Sequence, residues 1–154
     1  MKINDLITPS EVKVMASGTS KKRLFHELGD LAQARYDLNP QRTVEALMER
    51  ETLGPTGVGD GVALPHARMS DVTRVCGLFV RMEKPIDFDA VDRMPVDLVF
   101  ALFAPVDAGV EHLRALAVVS RTLRDGGTRA KLRANADPAT LFLVLTANSA
   151  NQAA

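Results

Sequence analysis

The stretch GVALPHAR (61–68) sets a histidine directly behind a short apolar run and a proline. Just before it, GPTGVGDG (54–61) packs four glycines into eight residues. Histidine is the side chain best suited to proton and phosphoryl chemistry near neutral pH. Its neutral imidazole, the major form at pH 7 for an unperturbed pKa of about 6.5, is a good nucleophile towards phosphorus. Phosphoryl transfer passes through a loose, highly anionic transition state, so a protein performing it mainly positions the group and surrounds it with donors. Candidate donors lie close in sequence: Arg50, the backbone N–H groups of 56–61 and the Thr56 hydroxyl. A second histidine, His112, falls in the first turn expected for a helix over 110–125, where the helix dipole favours negative charge.

Other chemistries fit less well. A P-loop requires Gly-Lys followed by Ser or Thr, but Asp60 follows Gly59. A dinucleotide fingerprint requires its glycines to follow a strand and open a helix, whereas these follow a helix and lead into a strand. No CxxC or HExxH occurs, and nothing in the spacing of His66 and His112 favours a metal. Neither a metal nor a cofactor is expected. His66 could equally cap a strand end, Arg50 could serve as a favourable charge at a helix C-terminus, and His112 could be a core residue on a stripe with Leu116 and Val119. The residues alone leave both readings open.

The elements that must position these side chains follow from periodicity. VKVM (12–15) alternates and predicts a short strand. Ser20 caps a helix over 21–36, with Leu24, Leu28 and Leu31 on one face and His26 on the opposite, solvated side. Asn39-Pro40 opens a second helix running to about Glu51, with Val44, Leu47 and Met48 inward and Arg50 in its last turn. Strands are expected at 62–64, 74–82 and 96–105, the last almost continuously apolar and so covered on both faces. The helix over 110–125 is expected to stop at Gly126-Gly127, and Asp137-Pro138 opens the last helix. The order predicts a single α/β domain over 1–146, a central mixed sheet flanked by helices on both faces, with a disordered tail over 147–154.

Composition narrows the class. The chain has 154 residues, 46% hydrophobic and 25% charged, with a formal net charge of zero. Without a long basic run it carries no large nucleic-acid footprint. The single cysteine, Cys76, cannot form an internal disulfide and reads as a small buried hydrophobe. No signal-peptide pattern opens the sequence and no apolar stretch approaches a membrane span, so a soluble, cytoplasmic protein is expected.

ETLGPTGVGDGVALPHA (51–67) resembles the active-histidine signature of type 2 enzyme IIA domains of the bacterial phosphoenolpyruvate-dependent phosphotransferase system. The signature elements are Glu51, Val58-Gly59 and the run Val62 to Ala67. The resemblance extends over about 1–146, and KPIDFDAVDRMPVDLVFALFAP (84–105) is most similar to the free-standing nitrogen-regulatory branch. It implies that His66 is phosphorylated by a small histidine-phosphorylated carrier protein, that His112 assists as the second active-site histidine, and that Arg50 approaches the phosphate. It also implies a mixed sheet flanked by helices, and regulatory partners such as potassium-transport or sensor proteins. A sugar-specific enzyme IIA passing phosphate to a IIB transport component, and a binding module that carries no phosphate, are the alternatives. Many nitrogen-branch members have Gly-Lys after the histidine, where this chain has Ala67-Arg68.

Overall fold

A computed structural model describes residues 1–16 and 20–153, with side chains described to residue 147. Two short 3-10 turns, Ile3–Asp5 and Pro9–Glu11, lead into β1 (Val12–Met15). There follow α1 (Lys21–Tyr36), α2 (Pro40–Thr52), β2 (Gly57–Gly59), β3 (Val62–Ala63), β4 (His66–Arg68), β5 (Cys76–Ile86) and β6 (Val96–Ala104). Three helices complete the described chain: α3 (Val110–Arg124), α4 (Gly126–Arg133) and α5 (Pro138–Ala153). Beyond Ala147 the disordered tail expected at 147–154 falls outside the residues whose side chains are described, and the backbone of α5 is helical to Ala153.

The sheet is mixed and six-stranded, in the order β1-β5-β6-β3-β2, with β4 also pairing β6. β6 runs antiparallel to β5 and parallel to both β3 and β4. Its side chains alternate between two cores. Val99, Ala101 and Phe103 pack with Leu24, Phe25, Leu28 and Leu47 of α1 and α2. Leu98, Phe100, Leu102 and Ala104 pack with Ala115, Val119 and Leu123 of α3, Leu132 of α4 and Leu141 of α5. Helices therefore cover both faces, and the apolar continuity of β6 has its explanation in two-sided burial. Cys76 lies in the first core, and burial pushes its thiol up to about 11.

The expected caps form. Ser20 Oγ accepts from the Arg23 amide, and Asn39 Oδ1 from the Arg42 amide. His26 is exposed on α1, as the helical spacing requires.

Three expectations need correction or extension. Pro65 does not end the strand region: it separates β3 from β4, both paired to β6, so His66 begins a strand. Pro65 lacks an N–H to give the ladder, but its carbonyl accepts from the Leu102 amide and keeps the register. The helix over 110–125 does stop before Gly126-Gly127, as expected, but the glycines are no loop: they open α4, because the Asp125 carboxylate accepts from the Thr128 amide and hydroxyl as an N-cap. β5 runs past the expected 82 to Ile86, with a register irregularity between Arg81 and Ile86 that accommodates Pro85.

Candidate functional site

His66, Arg50 and His112, drawn from β4, α2 and α3, line one cleft of about 420 Å³. Arg68 and the largely exposed Leu53 and Leu113 complete much of its wall (82% and 63% exposed).

Hydrogen-bond chemistry fixes the tautomer of His66. Its Nδ1 lies 2.8 Å from the Leu64 carbonyl oxygen, which can only accept, so Nδ1 carries the proton. Arg50 Nε lies 3.2 Å from His66 Nε2 and can only donate, so Nε2 presents its lone pair. Burial lowers the His66 pKa, and the Arg50 and Arg68 charges add to that; the Leu64 bond and the Glu51 carboxylate oppose it. The ring is thus held neutral, with one nitrogen donating to the backbone and the other able to act as a nucleophile.

Arg50 sits in the last turn of α2 and uses two arms. Nε donates to His66, and Nη1 donates to the Gly54 carbonyl at 2.9 Å. One guanidinium thus bridges His66 and the Gly54 carbonyl just past the end of α2.

His112 is the third residue of α3 and is 4% exposed. Its ring packs edge-on to His66, with 5.4 Å between centroids. Burial, then the neighbouring His66 and Arg68 charges, bring its pKa down to about 4, so it is neutral near pH 7. Leu116 lies partly buried on the same side of α3, so the core stripe and the cleft wall are one surface.

The glycine-rich stretch plays another part than expected. The Thr56 amide and hydroxyl both donate to Glu51, and the Asp60 amide donates to Asp92. Among the described residues, none of 54–61 lines the cleft. The stretch offers the cleft an acceptor, the Gly54 carbonyl that holds Arg50, and two of its glycines, Gly57 and Gly61, answer packing demands. A Cβ at Gly57 would stand 2.8 Å from the Ala90 Cβ. At Gly61 it would stand 2.3 Å from an Arg133 nitrogen, on a backbone at φ +77°. Arg133 forks onto Asp97 and also donates to the Asp60 carbonyl, closing the turn from α4.

Glu51, the acidic residue of the signature, is 6% exposed at its side chain and pairs with Lys21 at 2.6 Å. Lys21 also donates to the Phe88 carbonyl and lies 4.6 Å over the Phe88 ring. Glu51 therefore joins α1, the end of α2 and the 54–61 stretch just behind Arg50.

Arg68 has no assigned role in the sequence reading, yet it stands in the cleft. Strand alternation puts His66 and Arg68 on one face and buries Ala67 on the other. Arg68 Nε donates to His112 Nδ1 at 3.2 Å, and Nη1 donates to the Val106 carbonyl at 3.3 Å. The H-A-R alternation was the available signal. Among the described residues no group of three or more His, Cys, Asp or Glu could hold a metal, and no helix is long and apolar enough to cross a membrane.

The sequence pattern of "Phosphoenolpyruvate-dependent sugar phosphotransferase system, EIIA 2" matches residues 5–148. The chain is 43% identical over 145 residues to a "Nitrogen regulatory protein" of Bradyrhizobium diazoefficiens, covering 94% of this chain and 95% of that one. It is 41% identical over 128 residues to a protein of the same name from Escherichia coli, covering 82% and 78%. The crystal structure of nitrogen regulatory protein IIA-Ntr from Neisseria meningitidis superposes with a TM-score of 0.86 at 37% identity, over 94% of this chain and 99% of the other. The chain belongs to the type 2 EIIA family of the phosphoenolpyruvate-dependent sugar phosphotransferase system and is similar to its nitrogen regulatory proteins.

Proposed function

We propose that this protein is a cytoplasmic phosphocarrier and regulator of the nitrogen branch, accepting a phosphoryl group on His66 Nε2 from a histidine-phosphorylated carrier protein. The observation that carries the reading is the tautomer of His66: Nδ1–H is committed to Leu64, and Nε2 faces Arg50 with its lone pair. In the transfer, the Nε2 lone pair forms the new N–P bond while the donor's N–P bond breaks, its electron pair returning to the donor nitrogen. No proton need move, because Nδ1–H stays on the Leu64 carbonyl. Arg50 Nε–H exchanges the nitrogen for a phosphoryl oxygen, and the His112 N–H supplies a second donor to the spread charge.

The product places about two negative charges on the phosphoryl oxygens, between arginines and beside two exposed leucines. A charge change of that size at the mouth of a cleft alters which surfaces dock there, and that is the regulatory output. Partners of the potassium-transport or sensor kind are the proposed targets.

The test is transfer of label from phosphoenolpyruvate through enzyme I and the carrier protein. Acid-labile, base-stable label should appear on the wild type and on His26→Ala, and be lost from His66→Ala. Undiminished label on His66→Ala overturns the assignment, and rapid onward transfer to a sugar-type IIB domain would favour the sugar-specific reading.

A further inference from the structure

We propose that Arg68 is a positioning residue acting through His112: its Nε–H···Nδ1 bond fixes the ring with its own N–H at Nε2, as a donor for the group His66 receives. The inference rests on His66 being the acceptor.

A guanidinium stays charged and has no acceptor, so at 3.2 Å Arg68 must donate and His112 Nδ1 must accept. A neutral imidazole carries a single N–H, which then lies on Nε2. That nitrogen is buried and has no hydrogen-bond partner among the described residues. An unpaired buried N–H is costly, and such groups in folded proteins call for an explanation. Here the ring bearing it packs 5.4 Å from His66, so an oxygen carried on His66 is the acceptor within reach.

Arg68 is itself fixed. Its Nη1 bond to the Val106 carbonyl ties it to the connection between β6 and α3, and β4 pairing sets its backbone against Ala104. Gly109, the N-cap of α3, gives no side-chain cap bond. The first turn of α3, which carries His112, is tied to the sheet through Arg68.

Two measurements test this. Long-range ¹H–¹⁵N spectra of the unphosphorylated protein should show His112 as one tautomer, bare at Nδ1 and protonated at Nε2, and Arg68→Ala should show a mixture. Transfer to Arg68→Ala should slow about tenfold, less than the 10²–10³ typical of removing a donor outright. In the His112→Ala background, with folding confirmed by the urea midpoint, the same change should have almost no further effect. An equal slowing in both backgrounds would mean that Arg68 acts on the phosphoryl group or the donor directly, and would overturn the proposal. So would a single, unchanged His112 tautomer in Arg68→Ala. Wild-type protein that takes no label defeats the acceptor reading instead, and the spectra, which need no phosphate, still decide the Arg68 bond.

Discussion

Replacing Glu51 should destabilise the protein far more than its place at a helix end suggests. Its carboxylate, 6% exposed, accepts from the Thr56 amide and hydroxyl and pairs with Lys21. Glu51→Ala strands two Thr56 donors, each worth about 1–3 kcal/mol when left unmade. It also leaves the Lys21 ammonium without its counter-ion, although the Phe88 carbonyl and ring still hold it. Because these losses overlap, the total should be about 3–5 kcal/mol, the range for breaking a buried pair from one side. Glu51→Gln keeps a carbonyl acceptor for Thr56 and should cost about 1–2 kcal/mol. Urea denaturation of both variants reads these values. The next residue in the chain is Arg50, so Glu51→Ala should also slow phosphoryl transfer while Glu51→Gln largely preserves it. Glu51→Ala within about 1 kcal/mol of wild type would refute the view that this carboxylate holds the end of α2 to the 54–61 stretch.

Arg50→Lys should slow transfer at least tenfold with little change in thermal midpoint, because an ammonium lacks the planar fork that reaches His66 and Gly54 together. Transfer at the wild-type rate would return Arg50 to a helix-end charge. Gly61→Ala should cost about 2–3 kcal/mol in urea denaturation, since φ +77° disfavours a side chain and the Arg133 guanidinium occupies its place. The His112 pKa falls to about 4 from an unfolded value of 6.5, so the unfolded chain binds the extra proton more readily. Stability is then fully present above pH 6.5 and declines as pH falls towards 4, by about 2–3 kcal/mol at pH 4.5 from this group. His112→Gln removes that dependence, so its stability relative to wild type should improve between pH 7 and 4.5, and an unchanged gap would contradict the assignment.

That Arg50, His66 and His112 stand on elements able to meet was legible from residue type and position, whereas their joint role came only with the resemblance. Arg50 lies in a helix predicted from Asn39-Pro40, His112 in the first turn of another, and His66 follows the run that pairs with β6. Arg68 was not, because Pro65 reads as a strand end; only pairing with Leu102, Phe103 and Ala104 turns 66–68 into a strand with two residues on one face. α4 was missed because two consecutive glycines read as a stop, although Asp125 and Thr128 carried a capping signal. The role of Gly57 and Gly61 lay beyond local sequence, since the groups that exclude their side chains come from Ala90, Asp97 and Arg133. The two-sided sheet was readable in the apolar run of β6, whereas β2, three residues long, left no period to read.

The most direct test is to locate the phosphoryl group by atom. Protein carrying ¹⁵N-labelled histidine is phosphorylated through enzyme I and the carrier, and its ring nitrogens are read by long-range ¹H–¹⁵N correlation. One phosphoryl group should sit on His66 Nε2, with Nδ1 still protonated and His26 and His112 unmodified. A phosphoryl group on His66 Nδ1, or on either of the other histidines, would contradict the account.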